Sequence, residues 1–498
     1  MKRSMVKMIR VIGSLMMILS LSACGTDSPE PATTTVNGIP RVYLSVPDEN
    51  IKFVRQTDDM VKVYDISELD RDSGIIVNVN ADKTYQNIEG FGAAITESTA
   101  HNLYLLPEEE RNSIMKKCFD AEEGLGLSFL RQPLGGSDFV REYYSYDEMP
   151  EGEEDYELTH FSIEHDKEQI IPLVKQAIAI NPEIRLVGSV WSAPLWMKDK
   201  REWTSKNKAQ IRLECYEAYA NYIVKSLKAW EAEGLPFYAV TPSNEPTGVH
   251  DIPGNYFTAA NMTRLVNNYL RPAIDESGLS TKLWCWDFSY FEDDALAFLT
   301  PTLNAVDGIA FHSYAGKASL MGDIHKMFPE LSIFVTEAAG QPQPARTQLF
   351  RQMNWIDEAL RNHASGYFLW NILLDQNRGP QPEGADIQSS GLFQLNTETM
   401  KVDPYMDFYA LGHYSKFIRP GAKVVDSTDT GTQTNGEHRN TVAINENGSM
   451  TAVISNRTVN EAVYKLIVGD KVIEYTLQPQ SVATIVWNAN VYEEGVSA

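Results

Sequence analysis

The chain has 498 residues, 43% hydrophobic and 22% charged, with a formal net charge of −24. That is globular composition, long enough for roughly two or three domains and a large core. The negative charge argues against nucleic acid as a partner and against an anionic lipid surface for the folded part.

The first residues read as an export signal. "MKRSMVKMIR" is basic and "VIGSLMMILSLSA" is a short apolar run, too short to span a bilayer comfortably. The run ends in "LSAC", residues 21–24, which is similar to a bacterial lipobox. That reading makes Cys24 the lipidated first residue of the mature chain, anchoring it to the bacterial cell envelope without spanning the membrane. The alternative is an ordinary secretory signal with an incidental cysteine. Cys118, Cys215 and Cys285 remain, an odd and sparse set that is expected to be core and not a disulfide framework. Residues 24–38 are polar and rich in Pro and Thr, and read as a flexible tether.

Residues 39–85 then show short alternating runs, "RVYLSV" and "GIIVNVN", as strands would. From residue 86 to residue 415, apolar runs alternate with long amphipathic segments. The runs are "IEGFGAAI", "LSFLRQPL", "RLVGSVWSA", "FYAVTPSNE", "KLWCWDFS", "GIAFHSY", "SIFVTEA" and "GYFLWNI". Eight strands mostly separated by helices predict an α/β fold, a (β/α)8 barrel. Residues 416–498 are short strands broken by turns such as "NENG", and read as a β-sandwich that shares its core with residues 39–85.

Barrel enzymes place their chemistry where strands end. The predicted strand ends carry Glu97, Asp138, Trp191, Asn244, Glu245, Asp287, His312, Tyr314, Glu337 and Trp370. Glu245 and Glu337 follow strongly apolar strands four and seven, which face each other across a barrel. Two carboxylates across a cleft suit glycosidic hydrolysis, and aromatic rings mixed with Asn, Asp and His suit a sugar. Each residue also has a plainer reading: the glutamates as loop charges, Trp191 and Trp196 as core, Asp138 as a turn residue, His312 as a support. No His-Glu-x-x-His pair, Cys cluster or P-loop occurs, so no metal or other cofactor is expected.

At these residues the sequence resembles glycoside hydrolase family 30, the glucosylceramidase-like retaining glycosidases. The matching pieces include "IEGFGAAITES", "RQPLGGSDF", "VWSAPLWMK", "TPSNEPTG", "FHSY", "IFVTEAAG" and "LWNILLDQNRGP". The resemblance implies a barrel with a β-sandwich side domain, Glu245 as general acid/base and Glu337 as nucleophile. It places Asp138, Trp191, Asn244, His312, Tyr314 and Trp370 around the sugar. Ala93, Glu97, Val190 and Ser313 depart from the family's usual residues, and Glu97 and Ser313 are expected near the rim or floor of the site. The reading implies a retaining β-glucosidase of glucosylceramidase type acting on a β-glucoside, either a glycolipid or a glucan. The alternative is an endo-β-1,6-glucanase, and a remote one is a non-catalytic glycan-binding lipoprotein. A retaining site requires carboxyl groups about 5–5.5 Å apart. Like-charge repulsion from Glu337 is expected to raise the Glu245 carboxyl.

Overall fold

The computed structural model describes residues 34–429 and 436–491. The signal and Cys24 lie outside the described residues, as does most of the expected tether. Residues 34–38 of that tether are not loop; they open a strand, Thr34–Val46.

Eight parallel strands close into a barrel: β1 (Gly90–Ala94), β2 (Phe129–Pro133), β3 (Arg185–Ser189), β4 (Phe237–Thr241), β5 (Lys282–Tyr290), β6 (Gly308–Gly316), β7 (Ser332–Glu337) and β8 (Gly366–Leu369). Each coincides with one of the apolar runs read from the sequence, β5 and β6 continuing past the ends of theirs. β8 pairs with β1 to complete the ring. Helices between the strands bury one stripe each. In Tyr216–Ala232, the buried Tyr216, Tyr219, Ile223, Leu227 and Trp230 recur at three- and four-residue spacing.

The pleat decides what fills the barrel, because residues two apart share a face. Phe129, Val187, Ala239, Trp284, Ala310, Phe334 and Phe368 form one buried apolar layer, a contribution from every strand except β1. Two residues further along five of those strands stand Arg131, Ser189, Thr241, His312 and Thr336, all buried. A polar layer therefore lies directly above an apolar floor. β5 joins it by a bulge: Ala310 pairs with Trp286 and Phe311 with Phe288, which skips Asp287. Trp286 and Asp287 have φ of 74° and 59°, and this local reversal turns the Asp287 carboxylate inward.

The remaining large sheet has ten strands drawn from both ends of the chain. Thr34–Val46 pairs antiparallel with Ser481–Val491, and Ile75–Asn87 pairs antiparallel with Lys423–Asp429 and parallel with Ala462–Val468. Val42, Leu44, Val77, Leu466, Ile473 and Ile485 share its core. It is fastened to the barrel through the buried His413 of helix Met406–Ser415, whose ring nitrogens each lie 2.8 Å from a hydroxyl, Thr484 Oγ1 and Ser45 Oγ. Burial pushes the His413 imidazole down to about 3, so it sits there neutral. Arg439 of the sheet reaches Asp357 of helix Ala345–Arg361 at 3.0 Å. Among the described residues no helix is long and apolar enough to cross a membrane.

Candidate active site

Glu337 is the last residue of β7, and Glu245 lies four residues past β4. Glu245 has φ 45°, a left-handed conformation that costs a non-glycine residue roughly 1–3 kcal/mol. Its surroundings hold it there: its N–H donates to Asp287 O at 3.0 Å and its carbonyl accepts from Gly248 N–H at 2.8 Å. One oxygen of each carboxylate and a ring nitrogen of His312 all lie within 4.8 Å of one another. A closest approach of that size suits a retaining pair better than an inverting pair, whose carboxylates stand about 6.5–9.5 Å apart.

Arg131, from the polar layer, organises the centre. Its guanidinium bonds Glu337 Oε2, donates to Asn244 Oδ1 at 2.8 Å and reaches Asp287 Oδ2 at 2.9 Å. Its other oxygen occupied, Glu337 accepts from the Tyr314 hydroxyl at 2.8 Å. The guanidinium also lies 4.7 Å from the Trp191 ring and 5.3 Å from the Trp370 ring. Asp287 collects further donors: Ser189 at 2.8 Å, Thr241 at 2.6 Å and Thr336 at 2.7 Å. Burial alone would raise the Asp287 carboxyl, but Arg131, His312 and Thr241 outweigh it and hold it far below the usual carboxylate range.

His312 bridges two acids, with Nδ1 3.0 Å from Glu245 Oε1 and Nε2 3.2 Å from Asp287 Oδ1. Burial opposes its charge, yet Glu337, Asp287 and Glu245 together raise it to about 9. His250 flanks Glu245 on the other side, its Nε2 3.2 Å from Oε2. These contacts overturn the sequence expectation for Glu245. Burial works to raise its carboxyl, but the neighbouring imidazoles of His250 and His312 outweigh it and hold it at about 2. The proton needed for acid catalysis therefore rests on His312, one hydrogen bond from Glu245. Glu245, His312 and Glu337 are grouped closely enough to ligate a cation, but Arg131, Tyr314 and the imidazole already engage their oxygens.

A shared proton makes a testable statement. Activity should hold through neutral pH and fall as the Glu245–His312 pair loses its proton, at about 9. In His312→Phe the proton must sit on the buried Glu245 alone, so the alkaline limb should move to lower pH. kcat/KM at neutral pH should drop about 100-fold, the low end for a general acid. An alkaline limb that stays in place in the variant's pH profile would rule the sharing out.

The remaining predicted residues surround a cavity of about 650 Å³. Trp370 Nε1 donates to Asp138 Oδ2 at 3.3 Å, while the buried Asp138 Oδ1 has no hydrogen-bond partner. Burial, with Glu337 nearby, raises the Asp138 carboxyl well above the usual range. Trp191 and Trp370 stack on each other with centroids 4.8 Å apart and form one wall. Asp138, Trp191, Asn244, Glu245, Tyr314, Glu337 and Trp370 all line the cavity, with His312 buried behind the acids. Trp196, Glu97 and Ser313, also weighed from the sequence, do not line it. Trp196 is buried and donates to Asp147 O at 2.9 Å. Glu97 begins a helix and pairs with Arg141 Nε at 2.6 Å. Ser313, expected at the rim or floor, is 3.3 Å from the Tyr290 hydroxyl because the β6 pleat points it away from His312 and Tyr314. The sequence reading overlooked Arg131 and His250. Arg131 was visible as a lone cation inside "LSFLRQPL"; His250, in a loop without periodicity, gave no signal.

A closed parallel barrel, two closely facing carboxylates and a tryptophan-walled pocket define a retaining β-glycosidase. The chain belongs to glycosyl hydrolase family 30: the model of that family's TIM-barrel domain matches residues 88–418. It is 29% identical over 396 residues to an endo-1,6-beta-D-glucanase of Neurospora crassa, covering 76% of this chain and 80% of the relative. It is 28% identical over 445 residues to the lysosomal acid glucosylceramidase of Mus musculus, covering 83% and 84%. A solved endo-beta1,6-glucanase superposes with TM-score 0.80 at 26% identity, covering 91% of this chain and all of that one.

Proposed function

We propose that this enzyme hydrolyses β-linked glucan by double displacement, with Glu337 as nucleophile and Glu245 as acid/base. Glu337 attacks the anomeric carbon as the glycosidic C–O bond breaks, and the leaving oxygen takes the proton held by Glu245 and His312. Esterification removes the Glu337 charge. Glu245 then takes a proton from water, which attacks the anomeric carbon and frees Glu337. Asn244 is held by Arg131 through its oxygen, which leaves its amide N–H groups to donate to the sugar.

The observation that carries the substrate class is the pocket's extension past the acids: Arg351 and Trp355 line it and also a second, mostly polar cavity. An extended chain of sugars suits that shape, and two of the similar proteins named above are endo-1,6-glucanases. A second reading, a glucosylceramide-type lipid, has its own support. Phe291 and Tyr314 at the mouth are 38% and 41% exposed, an apolar rim, and the mouse relative is a glucosylceramidase. A product profile separates them. A ladder of β-1,6-linked oligosaccharides from polymer is the expected result. Ceramide with single glucose units, and intact polymer, would replace the glucan reading with the lipid one.

We also propose that the chain is exported and anchored through lipid on Cys24, supported by the basic n-region, the apolar run and "LSAC". Cells fed labelled palmitate should label the wild type and not Cys24→Ser. Equal labelling would sink the proposal.

A further inference from the structure

The second cavity, of about 460 Å³, lies along helix Ala345–Arg361 and reaches Arg457 and Gln480 of the side domain. Thr347, Arg351, Asn354, Trp355 and Glu358 form one stripe of that helix, at three- and four-residue spacing. From Thr347 to Glu358 the stripe runs about 16 Å, longer than a single pyranose. Its middle meets the catalytic pocket, since Arg351 and Trp355 wall both spaces.

We propose that this cavity is a distal subsite for a neutral, linear β-glucan, built jointly by the barrel helix and the side domain. The inference rests on the glucan reading above.

Four features favour a neutral polyol. Trp355 is half-buried and presents an aromatic surface where the two cavities join, and sugar sites combine such surfaces with a few polar groups. Donors and acceptors are mixed, not of one sign: Arg346 is paired with Asp48 at 3.2 Å, Arg351 with Asp407 at 3.2 Å and Glu358 with Arg439 at 2.9 Å. A phosphate or carboxylate site would instead leave several cations free. Two polar atoms on the stripe, Asn354 Oδ1 and Arg351 Nε, are buried without a hydrogen-bond partner, and hydroxyl groups satisfy either kind of atom. Finally, a ceramide tail would need a continuous apolar wall, whereas Thr347, Asn354, Glu358, Arg457 and Gln480 interrupt this one.

The test is the dependence of kcat/KM on chain length, using the purified chain and linear β-1,6-gluco-oligosaccharides from disaccharide to hexasaccharide. For the wild type, kcat/KM should rise about tenfold or more along the series. Asn354→Ala combined with Arg457→Ala should flatten that rise, while aryl β-glucoside turnover stays within about twofold, because that substrate ends before the second cavity. Thr347→Trp provides an independent route. Thr347 is exposed, so the change removes no core contact, and the indole should fill the cavity and abolish the same gain. A wild-type rate independent of length would overturn the subsite and leave the glucan reading intact, as would a length gain that survives both variants. Aryl glucoside turnover with no cleavage of any β-1,6 oligomer would overturn the glucan reading itself, and the subsite with it.

Discussion

Glu337→Gln is expected to reduce hydrolysis of an aryl β-glucoside by about 10⁴-fold or more, the scale seen when a nucleophile is removed from a preorganised site. Glutamine keeps the volume of the side chain and can still accept from Tyr314 or Arg131, so folding should survive. What it loses is the oxygen nucleophile and one negative charge facing the oxocarbenium-like transition state. Glu245→Gln should cost about 10²–10⁴-fold. With an activated aryl leaving group, which departs without a proton, the loss should fall at the low end. The double variant should be little worse than Glu337→Gln alone, because residues that act as a unit do not add. Chemical rescue separates the roles. Azide with Glu337→Gly should give an α-linked glucosyl azide, since the anion attacks from the face the carboxylate occupied. With Glu245→Ala it should give a β-linked one, through the intact glucosyl-enzyme. Retention of more than about a tenth of wild-type activity by Glu337→Gln would remove Glu337 from the nucleophile's place.

The barrel was legible in the sequence because each strand is a short, largely apolar run and each helix shows a period near four. The strand-end residues were legible for the same reason: a polar side chain just past such a run has a known address in this fold. What the linear pattern hides is depth. Arg131, Ser189, Thr241 and Thr336 sit inside the runs, two residues beyond the floor layer, and only barrel closure brings them to one level. Asp287 joins them by a bulge that no residue pattern announces. The ionisation of Glu245 was misread because only Glu337 was considered as its neighbour. His312, from β6, and His250, from the loop after β4, meet it only in three dimensions. Ser313 was misplaced by one residue of pleat, since its neighbours His312 and Tyr314 take the inward face. The strand at Thr34 was hidden because its partner, Ser481–Val491, lies at the far end of the chain.

Arg131→Met is the substitution with the largest expected effect on stability. The Arg131 side chain is 1% exposed and neutralises Asp287 and Glu337, themselves 0% and 8% exposed. Removing one partner of a buried pair strands the other charge in a low dielectric, at a cost of about 3–5 kcal/mol. The methionine would fill the space beneath Trp191 and Trp370 but offer no donor to Glu337, Asn244 or Asp287. Activity should fall as well, by about 10²–10³-fold, because Glu337 and Asn244 lose the group that aims them. Arg131→Lys should recover part of the stability but little of the activity: one ammonium cannot reproduce a planar fork reaching three acceptors. Asp287→Asn supplies the control. If the penalty in Arg131→Met comes from an unpaired Asp287, then Arg131→Met with Asp287→Asn should be less destabilised than the sum of the single changes, by about 0.5–3 kcal/mol. Denaturant midpoints of the four proteins, followed by tryptophan fluorescence, decide it. Additive losses would show that Asp287 is stabilised chiefly by Ser189, Thr241 and Thr336, with Arg131 serving mainly Glu337.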